Sequence, residues 1–259
     1  MKTRFIPYMT WPEVDAIDKK NALVILPLGA TEQHGPHLPL YTDTLISIGV
    51  LERTLDRLTE DSPVYMLSPI TISKSNEHRG FPGTLWIGAK TLYDVLFEVG
   101  KSVYESGFRK LCFFNGHGGN LGILQSVTRD LRDEFGLLTF VGAAWSYLDD
   151  PPLPEGVDSR EPSLGIHANF FETAIVKALH PDLVHNNLAV PSFPNLPDTN
   201  IKLDGPAYAS WVTKDWSKSG VFGDPTNVTE EIAKKYLERS IQGTIKFIGD
   251  MLRYEVPNP

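Results

Sequence analysis

Between residues 26 and 43 the chain reads LPLGATEQHGPHLPLYTD, which gathers Glu32, His34, His37 and Asp43 into one short span. Carboxylates mixed with imidazoles suit Zn, Mn or Fe, whereas Ca takes oxygen ligands alone. The apolar run at residues 22–28 (ALVILPL) just before them reads as a buried strand. These side chains would therefore be delivered from a strand end and the loop that follows it. In extended backbone, Glu32 and His34 point to one side. Asp43 opens an amphipathic segment, where a carboxylate suits a helix N-terminus. An aspartate can also bridge two metals about 3.5–4 Å apart, the spacing of binuclear hydrolases. Taken singly, Asp43 reads equally as a plain N-cap and His34 as a turn residue. Together, at a strand end, they imply a metal-dependent hydrolase.

Three further segments could contribute. Asn115-Gly116-His117-Gly118-Gly119-Asn120 follows another apolar run. Its glycines allow close backbone approach. The spacing fits neither the dinucleotide fingerprint nor the phosphate loop with its Lys-Ser/Thr ending, so a metal ligand at His117 is favoured over a glycine-rich anion loop. In Gly165-Ile-His-Ala-Asn-Phe-Phe-Glu-Thr-Ala, His167 and Glu172 stand five apart, roughly 140° around a regular helix. His167 is expected at the helix start or on the loop before it, with Glu172 projecting from within; a surface glutamate and a helix-start histidine remain open. The loop NEHRGFPGT, with Glu77 and His78, is dense in polar and turn-forming residues and could frame a pocket. Trp145, Tyr147, Trp211 and Trp216 could line a substrate pocket, although core packing is the commoner fate of aromatics. His180 and His185 read as structural.

The elements that must position these residues alternate. Strands are expected at 22–28, 64–70, 110–114 and 137–144. Helices are expected at 43–58, 92–104, 121–135, 166–179 and 229–252. Strand and helix in alternation imply a mostly parallel sheet with helices on both faces, whose ligands bind beyond the carboxyl ends of the strands. Glu32 and His34, then Glu77 and His78, then His117 all fall at such ends. Residues 181–227, rich in Pro, Asn, Asp and Gly, are too long for an ordinary connection. They read as an irregular lid or an intersubunit segment of a single 1–259 domain, because Phe193, Tyr208, Trp211, Trp216 and Phe222 favour burial.

The 259 residues contain one cysteine, Cys112, which excludes an internal disulfide and fits a reducing compartment. With 24 Lys+Arg against 32 Asp+Glu, the net charge of −8 and the lack of a basic cluster argue against nucleic acid and anionic membranes as partners. No signal peptide or membrane-length apolar run is visible, so a cytoplasmic protein acting on a small molecule is expected.

The segments LPLGATEQHGPHLPLYTD, SNEHRGFPGT, NGHGGN and HANFFETA occur in this order across residues 20–180 and together resemble the creatininase (creatinine amidohydrolase) family. The resemblance implies a three-layer α/β/α sandwich, two divalent ions per subunit (Zn, Mn or Fe), and a homo-oligomer of cyclic hexamer type. Carried over by position, Glu32, His34, Asp43 and His117 look like metal ligands, with Asp43 bridging, and Glu172 like a further ligand. His167 looks like the residue for proton transfer, with Glu77 or His78 assisting. The implied reaction is hydrolysis of a C–N bond in a small amide or cyclic amide through an activated water. Ring opening of a cyclic keto-polyol, or non-catalytic binding of a metal or metabolite, are the alternatives. Three positions depart from the family pattern: Gly119 stands where creatininases proper have glutamate, Asn169 replaces a glycine, and Ala174 replaces a serine. Creatinine itself is therefore not the expected substrate.

Overall fold

The computed structural model describes residues 4–146, 154–203, 205 and 207–256. Four parallel strands, β1 (Leu23–Leu28), β2 (Val64–Met66), β3 (Lys110–Asn115) and β4 (Leu138–Gly142), form one sheet in the order β2-β1-β3-β4. The helices are α1 (Trp11–Asp15), α2 (Thr42–Leu55), α3 (Ala89–Glu105), α4 (Leu121–Phe135), α5 (Glu161–Leu164), α6 (Phe170–Leu179), α7 (Thr213–Trp216) and α8 (Glu230–Arg253).

Alternation along the strands divides the core in two. Leu23 and Ile25 of β1 join Cys112 and Phe114 of β3 beneath α2, α6 and α8. Val24 and Leu26 join Leu111 and Phe113 beneath α3 and α4. Both faces of the sheet are covered, which is why its strands read as unbroken apolar runs. The result is the expected three-layer α/β/α sandwich.

Several boundaries differ from expectation. The second strand ends at Met66, because Pro69 has no N–H to continue the ladder. Ile70 rejoins only as an isolated bridge to Leu28. Helix α2 stops at Leu55 rather than residue 58. Helix α6 starts at Phe170, not residue 166, because Asn169 caps it: its side chain accepts from the Glu172 N–H at 2.9 Å. His167 therefore lies on the loop before α6, in an isolated bridge with Phe222. Of the five aromatics expected to be buried in 181–227, Phe222 is fully buried and Phe193, Trp211 and Trp216 partly so. Tyr208 is 61% exposed in the single chain. Tyr147 lies outside the described residues.

β1 and β3 are neighbours, yet the chain leaves β1 toward β2 on one side and β3 toward β4 on the other. Their carboxyl ends thus form the switch point where such sheets hold ligands. Two glycines bring α2 against that crevice. A Cβ on Gly29 would collide with Thr44, and one on Gly116 with the Asp43 carbonyl. Among the described residues no helix is long and apolar enough to cross a membrane.

Candidate metal centre

The side chains expected at the strand ends converge in this crevice. Glu32 follows β1, and its Oε1 lies 3.2 Å from His117 Nδ1, 3.4 Å from His78 Nε2 and 3.6 Å from His167 Nδ1. Asp43, in the first turn of α2, lies 2.9 Å from His34 Nε2 through Oδ1 and 3.3 Å from His117 Nδ1 through Oδ2. Glu172, in the first turn of α6, brings Oε1 to 4.0 Å from His34 Nε2. Ligand-type atoms fall within 4.8 Å of one another in three groups: Glu32, Asp43 and His117; His34, Asp43 and Glu172; Glu32, His34 and His167. Asp43 belongs to the first two, Glu32 to the first and third, and His34 to the second and third.

Each ring is held from behind by a carbonyl, which can only accept a hydrogen bond. His34 Nδ1 donates to the Glu32 carbonyl at 3.1 Å, His117 Nε2 to that of Lys74 at 2.8 Å, and His167 Nε2 to that of Gln33 at 2.7 Å. The opposite nitrogens, His34 Nε2, His117 Nδ1 and His167 Nδ1, face the carboxylates and are the atoms that could offer a lone pair to a cation once any proton there is displaced. This fixing of tautomer by a partner behind the ring is what metal-ligating histidines require.

The polar accounting also fits a cation. Both carboxylate oxygens of Glu32 and Oδ2 of Asp43 are buried without a hydrogen bond. Buried carboxylates left in that state are costly unless a positive charge satisfies them. In the ion-free protein that charge is a proton. Burial disfavours a charged His34, yet Asp43, with Glu172 and Glu32 nearby, raises it to about 10. His117 is likewise carried well above the usual imidazole range by Glu32, Asp43 and Glu77 against the effect of burial. His34 and His117 in turn hold Asp43 far below the usual carboxylate range although burial works upward. Burial lifts Glu172 to about 7 against the pull of His34. His167 and His78 stay neutral: burial, followed by neighbouring imidazoles, lowers His167 well below its ordinary value and His78 to about 3.

The loop motifs explain the placement. Asn115 Nδ2 donates to the His117 carbonyl at 2.7 Å, and Asn115 Oδ1 accepts from Asn120 Nδ2 at 3.1 Å. Asn120 Oδ1 accepts from the Lys74 N–H at 3.3 Å, tying the NGHGGN loop to the one bearing Glu77. Ala168, buried between His167 and the Asn169 cap, has φ 49°, a left-handed conformation unusual for a non-glycine residue and one of the strained positions that cluster at functional sites.

His37, the remaining imidazole of the first segment, stands apart. Its Nε2 meets Thr173 Oγ1 at 3.0 Å, and burial, then His34, lowers it to about 4. It belongs to none of the three groups. Glu77 Oε1 sits 3.3 Å from His117 Nε2, behind the ring, with Lys74 on its other oxygen. Burial raises the Glu77 carboxyl, but His117 and Lys74 outweigh it and hold the group at about 2. Trp145 packs edge-on against Phe171, and Trp211 spends its N–H on the Leu203 carbonyl at 2.9 Å.

Sequence reasoning missed Gln33 and the roof above it. Gln33 Oε1 accepts from the Gly35 N–H at 2.9 Å, which leaves Nε2 to donate to His78 Nδ1 at 2.8 Å and to the Gly220 carbonyl at 3.1 Å. Thr213 of α7 also reaches His78 Nδ1, at 2.9 Å. His78 accordingly carries its hydrogen on Nε2, facing Glu32. Position between two ligands was the only signal for Gln33, and strand alternation turned it away from them. Nothing periodic marks Thr213 or Gly220.

Comparison with known proteins agrees with this geometry. Residues 7–248 match the family described as Creatininase, creatinine amidohydrolase. The chain belongs to the creatininase family. It is a hydrolase whose buried histidine and carboxylate cluster suits a metal-dependent amide hydrolase. A "Mycofactocin precursor peptide peptidase" from Mycobacterium ulcerans (strain Agy99) is 35% identical over 250 residues, covering 93% of this chain and 86% of the relative. The Pseudomonas putida "Creatinine amidohydrolase" is 27% identical over 270 residues, covering 99% and 98%. A solved structure named "Creatininase Mn" superposes with a TM-score of 0.78 at 24% identity over 98% of this chain and 100% of that one, which shows the fold. The closer likeness to a peptidase agrees with a family member that is not creatininase itself.

Proposed function

We propose that this creatininase-family protein is a cytoplasmic amidohydrolase that carries two divalent ions, Zn, Mn or Fe, and cleaves a C–N bond in a small amide, cyclic amide or short peptide. The observation that carries this reading is the pair of ligand groups sharing Asp43: Glu32, Asp43 and His117 for one ion, His34, Asp43 and Glu172 for the other. The peptidase and amidohydrolase named among the relatives support an amide linkage as the bond attacked.

Bound ions would supply Lewis acidity, making a water more acidic and polarising a carbonyl. The protein's own groups do the rest. His167 is neutral, its Nε2–H is spent on the Gln33 carbonyl, and its Nδ1 lone pair faces the cluster. Nδ1 takes a proton from the attacking water and returns it to the leaving nitrogen as the C–N bond breaks, a role worth roughly 10²–10⁴ in rate. His78, hydrogen-bonded through Nδ1, points Nε2–H at Glu32 and steadies that carboxylate. The roof segment reaches the cluster through Gly220, whose carbonyl accepts from Gln33, and through Thr213, whose hydroxyl bonds His78.

A homo-oligomer, in the family manner a hexamer, is part of the proposal. Tyr8 at 81% and Trp11 at 80% exposure are apolar surface of the kind an interface covers. The test is replacement of Asp43 by Ala, followed by metal analysis and an assay of amine or ammonia release from an amide, lactam and peptide panel. Metal and turnover should vanish together. Turnover by metal-free Asp43→Ala protein, or ring-opened acid from a keto-polyol without release of nitrogen, would contradict the proposal.

A further inference from the structure

His117 is gripped on both edges. Its Nδ1 faces Glu32 and Asp43 at 3.2 and 3.3 Å; its Nε2 faces the Lys74 carbonyl at 2.8 Å and Glu77 Oε1 at 3.3 Å. The other Glu77 oxygen accepts from Lys74 Nζ at 2.7 Å. Both oxygens are thus engaged behind the ring, and Glu77 belongs to none of the three ligand groups. The room for this carboxylate comes from position 119. A Cβ on Gly119 would overlap Glu77 Oε1 and His117 Nε2 and lie 2.7 Å from the Lys74 carbonyl. Gly119 has no left-handed φ, so its backbone would accept another residue; the exclusion comes from the occupied space alone.

We propose that Glu77 is a positioning residue for His117, its carboxylate setting a negative charge behind the Nε2–H that the Lys74 carbonyl accepts and so strengthening Nδ1 toward the ion shared with Glu32 and Asp43, and that residue 119 is glycine because Glu77, the His117 ring and the Lys74 carbonyl fill its side-chain volume. This rests on the metal reading given above. Carboxylate behind imidazole behind metal is a recurrent arrangement, and losing the outer partner weakens metal binding by roughly 10–100-fold. Because Glu77 reaches one ligand group only, its removal should weaken one ion and leave the ion of His34, Asp43 and Glu172 in place. Glu77→Gln keeps the shape and removes the charge, so it covers the case in which Glu77→Ala does not fold.

The test titrates Zn²⁺ and Mn²⁺ into chelator-stripped wild type, Glu77→Ala, Glu77→Gln and Gly119→Ala by calorimetry. The expected result is a loss of roughly 10–100-fold at one of two sites in Glu77→Ala and Gly119→Ala, and a smaller loss in Glu77→Gln. A merely structural Glu77 would lower both affinities together. Wild type that binds two ions while Glu77→Ala matches it within twofold, or loses both equally, overturns the proposal alone. Wild type that binds neither ion overturns the metal reading, and this proposal with it.

Discussion

Asp43 has the most demanding position of any side chain here. It is buried and paired with His34, and it is common to the two groups proposed to hold the ions. Glu172 serves one group only: if the proposed centre binds two ions, Glu172→Gln should leave about one per chain, read by elemental analysis. The protons on His34 and His117 give a pH dependence with a defined sign. Metal must displace them, so affinity should fall as pH falls, with proton release measured by titration in buffers of differing ionisation enthalpy. In chelated protein the folded value of His34, about 10, exceeds its ordinary 6.5. Its pairing stabilises the fold fully below 6.5 and is lost as pH rises through about 10. Thermal unfolding of chelated protein should therefore weaken across that window; a flat profile contradicts the assignment. The convergence of Glu32, His34, Asp43 and His117 was legible because their types are chemically narrow. The roles of Glu77 and Gln33 were not, since a side chain that acts through another has no distinctive type or spacing.

At the scale of elements, the centre depends on α2 standing close against the ends of β1 and β3. Gly116→Ala would set a methyl against the Asp43 carbonyl and should destabilise the protein by about 1–3 kcal/mol, with loss of metal as α2 shifts. The Asn169 cap has a second function beyond starting α6, because it fixes the turn from which Glu172 projects. Asn169→Ala should cost about 1 kcal/mol in thermal or denaturant unfolding and weaken the ion of the Glu172 group more than the other. The strands of the sheet were readable in the sequence because both faces are buried, which leaves continuous apolar runs. The start of α6 was misplaced by four residues because Ile166 and Ala168 are apolar, and periodicity alone cannot tell a pre-helical bridge from a first turn. Ser68-Pro69, which interrupts the edge strand, was visible as sequence, yet whether the chain rejoins after it depends on a partner strand distant in sequence.

At the scale of the molecule, the order β2-β1-β3-β4 creates the crevice, and residues 213–223 roof it. Phe222 is buried and its backbone pairs with that of His167, so Phe222→Ala should cost about 3–5 kcal/mol and lower turnover beyond what the stability loss explains. Alternating elements made the layered architecture legible. They said nothing about the roof, whose contacts are made by a carbonyl, a hydroxyl and a glycine turn rather than by an apolar stripe. The proposed oligomer is checked by light scattering, where a mass several times the 28.9 kDa chain is expected. The measurement that bears most directly on the whole account is anomalous diffraction from crystals of metal-loaded protein. It should show two peaks flanking Asp43, one against Glu32 and His117 and the other against His34 and Glu172. A single peak away from Asp43, or full metal content bound by other residues, would contradict it.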